Sequence, residues 1–109
     1  MEKIYNKLVR DKIPNIIKEN GEQVIIKVLD EIEYKEELEK KLYEEYQEVL
    51  SASKDERIEE LADMLEIIRA LAKLEEKTLE DVIDVANIKK DKRGAFEDRI
   101  YLEKTIDTE

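Results

Sequence analysis

Between residues 56 and 75 apolar side chains recur at helical spacing. At about 100° per residue, Ile58, Leu61, Ala62, Met64, Leu65, Ile67, Ile68, Leu71 and Leu74 share one broad arc, while Glu59, Glu66, Arg69 and Lys73 share the remainder. A narrower stripe of Leu38, Leu42, Tyr46 and Val49 predicts a second helix over 30–50, and SASKD (51–55) reads as the break between them, with Asp55 placed to cap the helix that follows. Thr78 with Asp81 three residues later forms a capping-box pattern ahead of Leu79, Val82, Ile83 and Ala86, and Gly94 is a natural stop. A short helix should start near Pro14 and end at Gly21. KIYNKLV (3–9) reads as extended, and the β-branched run QVIIKVL (23–29) and RIYL (99–102) predict short strands. The expectation is one all-α domain over residues 1–109, with a few short β-strands at its edges and no linker or repeat.

Two acids break the pattern. Glu60 falls between Met64 and Ile67, inside the apolar arc, and Asp63 falls near Ile67, Ala70 and Leu74. An unpaired carboxylate on a buried face costs several kcal/mol, roughly, so each needs a cation or a proton. On the preceding helix Glu45 lies at the edge of the stripe, beside Leu38 and Val49, and Glu48 one turn on. If the break at 51–55 folds the helices antiparallel, Glu45, Glu48, Glu60 and Asp63 converge. Acidic pairs at i,i+3 are common in this chain, so it is position on the wheel, not spacing, that singles out Glu60 and Asp63; Glu48 lies farther from its stripe and reads equally as a surface residue.

Composition narrows the chemistry. The chain has no His and no Cys, which removes imidazole bases, thiolate nucleophiles and the usual transition-metal ligands. An all-carboxylate site suits Mg²⁺, with Mn²⁺ as a substitute, and does not suit the Glu-x-x-His di-iron pattern. The net charge of −10, with 46% charged residues, argues against nucleic acid as a partner. The longest apolar run is far short of a membrane span and the amino terminus lacks a signal-peptide core, so a soluble, cytoplasmic protein is expected.

KLYEEYQEV (41–49) followed by EELADML (59–65) resembles the E-x-x-E…E-x-x-D signature of the MazG-like, all-α nucleoside triphosphate pyrophosphatases. NKLVRDKIP (6–14) and KRGAFEDRIYL (92–102) resemble the termini of a small single-domain, house-cleaning branch, with Ala95 where RGGF would be expected. The resemblance implies a helical bundle completed by oligomerisation, a homodimer or larger. It implies Mg²⁺-dependent cleavage of a nucleoside triphosphate between its α and β phosphates, with Glu45, Glu48, Glu60 and Asp63 as metal ligands and catalytic residues. Glu48 is the one also suited to activating water. Lys41, Lys92, Arg93, Lys7 and Arg10, with Lys12 nearby, bracket these motifs as candidate phosphate contacts. Tyr34, Tyr46, Phe96 and Tyr101 offer faces for a base but suit packing better. Two alternatives stand beside this one: a phosphoribosyl-ATP pyrophosphohydrolase, which shares fold and motifs, and a non-enzymatic acidic helical module that dimerises through its apolar faces.

Overall fold

A computed structural model describes residues 1–108. It contains four helices: α1 (Ile13–Glu19), α2 (Glu31–Ser51), α3 (Arg57–Leu74) and α4 (Leu79–Arg93). Among the described residues there is no strand, so the fold is all-α, and no helix is long and apolar enough to cross a membrane.

Each boundary has a local cause. Pro14 occupies the first turn of α1, where a missing N–H costs nothing, and Gly21 takes a positive φ of +91° beyond its end. Asp30 caps α2, its carboxylate accepting from the Glu33 N–H at 2.9 Å. The expected box closes α4: Thr78 Oγ1 accepts from Asp81 N–H at 3.1 Å, and Thr78 N–H donates to the Asp81 carboxylate at 2.8 Å. Gly94, at φ +85°, ends it. Ala95 is not among the positive-φ residues, so the departure from RGGF brings no backbone strain.

The start of α3 differs from expectation. Asp55 does not cap it; the amides of Glu56 and Arg57 both donate to the Ser53 carbonyl, at 3.1 and 3.0 Å, and no side chain caps the helix. A tight backbone turn already satisfies the donors that a capping acid would serve.

The expected strands are also corrected. Residues 23–29 and 99–102 form none, because neither finds a ladder within the chain: 23–29 and 100–102 take part in no backbone hydrogen bond. A single chain that never brings two such segments together cannot display them as a sheet.

Packing is confined to α2 against α3 and α3 against α4. Leu38 and Val49 of α2, Ile67 of α3 and Leu79 of α4 are the buried hydrophobic residues. Five residues separate α2 from α3, which makes them antiparallel neighbours. The remainder is open: the radius of gyration is 19.3 Å, against about 13 Å for a compact chain of roughly this length.

Candidate metal centre

The α2 stripe that packs on α3 runs through Leu38, Leu42, Glu45 and Val49, spaced four, three and four residues apart. Leu38 and Val49 are buried, and Leu42 and Glu45 half-buried, whereas Tyr46, placed on this stripe from sequence, is turned outward and 49% exposed. The packing face of α2 is thus rotated, and Glu45 stands on it in place of Tyr46. On α3 the inner stripe is Glu60, Asp63, Met64, Ile67, Leu71 and Leu74, every member buried or half-buried. The two acids that looked misplaced on the wheel do face the neighbouring helix.

One carboxylate oxygen from each of Glu45, Glu60 and Asp63 lies within 4.8 Å of the others. Two helices hold them, Glu45 from α2 and Glu60 and Asp63 from successive turns of α3. Glu45 Oε2 is cut off from solvent and has no hydrogen-bond partner. Burial first, then the adjoining Glu60 carboxyl, then the charges of Asp63 and Glu48 push the Glu45 pKa up from 4.5 to about 7. The capping acids make the contrast: the Thr78 amide and hydroxyl hold Asp81 below its ordinary value, and the Glu33 amide does the same for Asp30. Acids that receive N–H groups are stabilised as anions, whereas Glu45 has only other acids around it.

A divalent cation fits this set. Three convergent carboxylates, one of which also carries a desolvated, unpartnered oxygen, offer a cation hard ligands, and one or two carboxylates with water completing the shell is the usual Mg²⁺ arrangement. Among the described residues, the cation paired with the trio is Arg10, whose guanidinium donates to Asp63 Oδ1 at 2.6 Å across 53 residues of sequence. That side chain comes from the segment just ahead of α1, so the amino-terminal motif and the acidic helices meet here.

The other candidates are distributed unevenly. Glu48 is exposed and outside the trio, yet close enough for its charge to raise Glu45. Lys41 lies one turn before Glu45 and is half-buried. Lys7 is exposed, its ammonium 5.8 Å from the centre of the Tyr5 ring. Lys92 and Arg93 are exposed at the carboxyl end of α4, Arg93 lining an open hollow with Gly94, Phe96 and Arg99. Tyr46, Phe96 and Tyr101 are exposed, and Tyr34 half-buried. Of the expected wet face, Glu59 is exposed, and Glu66 pairs with Arg69 on α3 itself.

Sequence reasoning missed the Arg10–Asp63 pair. Its only signal was a cation in a motif that resembled a phosphate-binding opening; nothing in the spacing links residues so far apart.

Set against known protein families, curated proteins and solved structures, the chain matches none of them.

Proposed function

We propose that this chain is a Mg²⁺-dependent nucleoside triphosphate pyrophosphohydrolase of the MazG-like all-α type, converting a nucleoside triphosphate into its monophosphate and pyrophosphate, with surplus or aberrant (d)NTPs as the substrate class. The supporting observation is the convergence of Glu45 from one half of the E-x-x-E…E-x-x-D pattern with Glu60 and Asp63 from the other, around an unpartnered buried oxygen. An acidic surface module has no use for such a cluster, which costs stability unless a cation neutralises it.

In this proposal Glu45, Glu60 and Asp63 hold the metal. Bound there, Mg²⁺ would supply charge neutralisation for polyphosphate oxygens and acidify water. Glu48, exposed beside the trio, accepts the proton of the attacking water, a task that falls to a carboxylate in a chain without His. Arg10, Lys7 and Lys41 on one side, and Lys92 and Arg93 on α4, offset the remaining phosphate charge; each is a compact or forked donor suited to it. The exposed Ile58, Leu61 and Leu65 side of α3 is covered by a second copy, which completes a bundle as a homodimer or larger assembly.

A pyrophosphate-release screen over ordinary and damaged (d)NTPs, with and without Mg²⁺, tests the activity. Pyrophosphate and monophosphate should appear with at least one substrate and only with metal. Orthophosphate as first product would place cleavage at the γ position and overturn the assignment; no turnover of any nucleotide would return the chain to the dimerisation module.

A further inference from the structure

The segments on either side of the helical core have the composition of strands but form none; Val24 and Leu29 are half-buried and the Lys27 ammonium lies 3.5 Å from the Glu33 carboxylate, while most of their other apolar side chains face solvent. Ile25 and Val28 are 100% and 92% exposed, and Ile100, Tyr101, Leu102 and Ile106 are 75% exposed or more. Residues 23–29 and 100–106 neither donate nor accept a backbone hydrogen bond. The chain measures 72 Å along its longest axis, although its longest helix, of 21 residues, accounts for only about 32 Å. β-Branched segments whose amides have no backbone partner form a template for pairing with another chain.

The two segments complement each other. Laid antiparallel with Lys27 opposite Glu103, Val24 falls opposite Ile106, Val28 opposite Leu102 and Leu29 opposite Tyr101. Apolar positions meet apolar ones on both faces, and the oppositely charged pair is the kind that stabilises a ladder. The two remaining isoleucines meet polar residues: Ile25 falls opposite Thr105, and Ile26 opposite Lys104, whose aliphatic stem can lie across it. A foreign partner gives no reason for residues 23–29 and 101–107 of one chain to match each other. A second copy does, since each copy then offers one strand of each kind and a two-fold axis closes both pairs.

We propose that residues 23–29 of one copy pair antiparallel with residues 101–107 of a second copy, the reciprocal pair completing a strand-exchanged dimer. This goes beyond the helix-face homo-oligomer proposed above by naming the segments and their register, and it holds or fails independently of hydrolysis.

Cysteine pairs test it cleanly, because the chain has no native Cys. With Lys27→Cys and Glu103→Cys combined, mild oxidation of the folded full-length protein should yield a covalent dimer on non-reducing electrophoresis. Ile26→Cys with Glu103→Cys, on opposite faces, should not. A product cross-linked within one chain, or no cross-link from a protein with intact helical circular dichroism, would overturn the proposal. Charge exchange is the second arm. Lys27→Glu or Glu103→Lys alone should weaken the dimer by about fivefold, and the two together should restore it. Dimerisation indifferent to all three variants would leave helix-face association in place and exclude the strand exchange.

Discussion

The two sides of α3 invert the usual order. Its inner side, against α2, carries Glu60 and Asp63 among Met64, Ile67 and Leu71; its outer side exposes Ile58, Leu61 and Leu65, at 73%, 43% and 44%. In an ordinary amphipathic helix the aliphatic residues are inside and the acids outside. In the proposed function a cation would account for the inner acids and a partner chain for the outer aliphatics. A single metal-free copy therefore shows both features as apparent mistakes.

The sharpest way to break that comparison is at the inner acids. Glu60→Gln or Asp63→Asn should lower turnover by at least about 100-fold with helical circular dichroism retained, a loss in the range for removing one electrostatic transition-state contact. Glu59→Gln and Glu66→Gln on the same helix should stay within about twofold, as expected for surface changes. Equal effects from all four would dissolve the distinction between the faces.

Next in size is the response to metal. Mg²⁺ at about 100 times its Kd should stabilise the folded chain by about 2.7 kcal/mol, seen as a rise in melting temperature. Glu60→Gln should raise the melting temperature of the metal-free protein and shrink the Mg²⁺ increment. A melting curve that ignores Mg²⁺ would contradict the centre itself.

On the outer side, Leu61→Lys with Leu65→Lys should shift light-scattering mass toward the monomer. If the exposed leucines have no partner, the pair should change neither mass nor stability by more than about 0.5 kcal/mol each.

A pH titration gives a smaller signal with a defined sign. Glu45 has its pKa raised from 4.5 to about 7 in the folded protein, so between these values the folded chain keeps a proton that the unfolded chain has lost. The contribution of Glu45 to the stability of the metal-free protein is therefore fullest below about pH 4.5 and declines as pH rises through about 7, opposite in sign to those of Asp30 and Asp81, which are lost on acidification. Glu45→Gln should remove that decline, and saturating Mg²⁺ should suppress it; an identical profile in the variant would show that Glu45 does not carry it.

The smallest effect is expected at Arg10. Its pair with Asp63 joins side chains 57% and 43% exposed, and such bridges are worth about 0–1 kcal/mol. Arg10→Gln should thus cost little stability, and a measured loss of several kcal/mol would mean that the amino-terminal segment is far more firmly docked.

Much of this was legible from one chain. Pro14, Gly21, Thr78, Asp81 and Gly94 act locally, through caps and positive φ, and local rules reached them, whereas the Asp30 cap was not singled out and the Asp55 cap was misplaced. Glu60 and Asp63 were legible because α3 is long enough for its wheel to be unambiguous. Glu45 was harder: one apolar residue too many, Tyr46, pulled the predicted stripe round by a position, and only contact with α3 decides which of two adjacent residues faces inward. Residues 23–29 and 99–102 were read as strands on propensity, but a strand is a relation between segments, and propensity cannot say whether a partner lies within reach. The Arg10 contact, across 53 residues, is a product of assembly and leaves no local trace.

That contact has a consequence for the mobility of the chain. Closing a flexible loop of about 53 residues costs roughly 3.5 kcal/mol in entropy, more than an exposed guanidinium–carboxylate pair returns. The bond cannot hold the amino-terminal residues in place alone; it forms because the intervening helices have already brought both ends near. Whatever engages Asp63 more strongly should free the Arg10 guanidinium for another anion, so a fluorophore near the amino terminus would report occupancy of the acidic cluster as a gain in rotational freedom that a bound polyphosphate reverses.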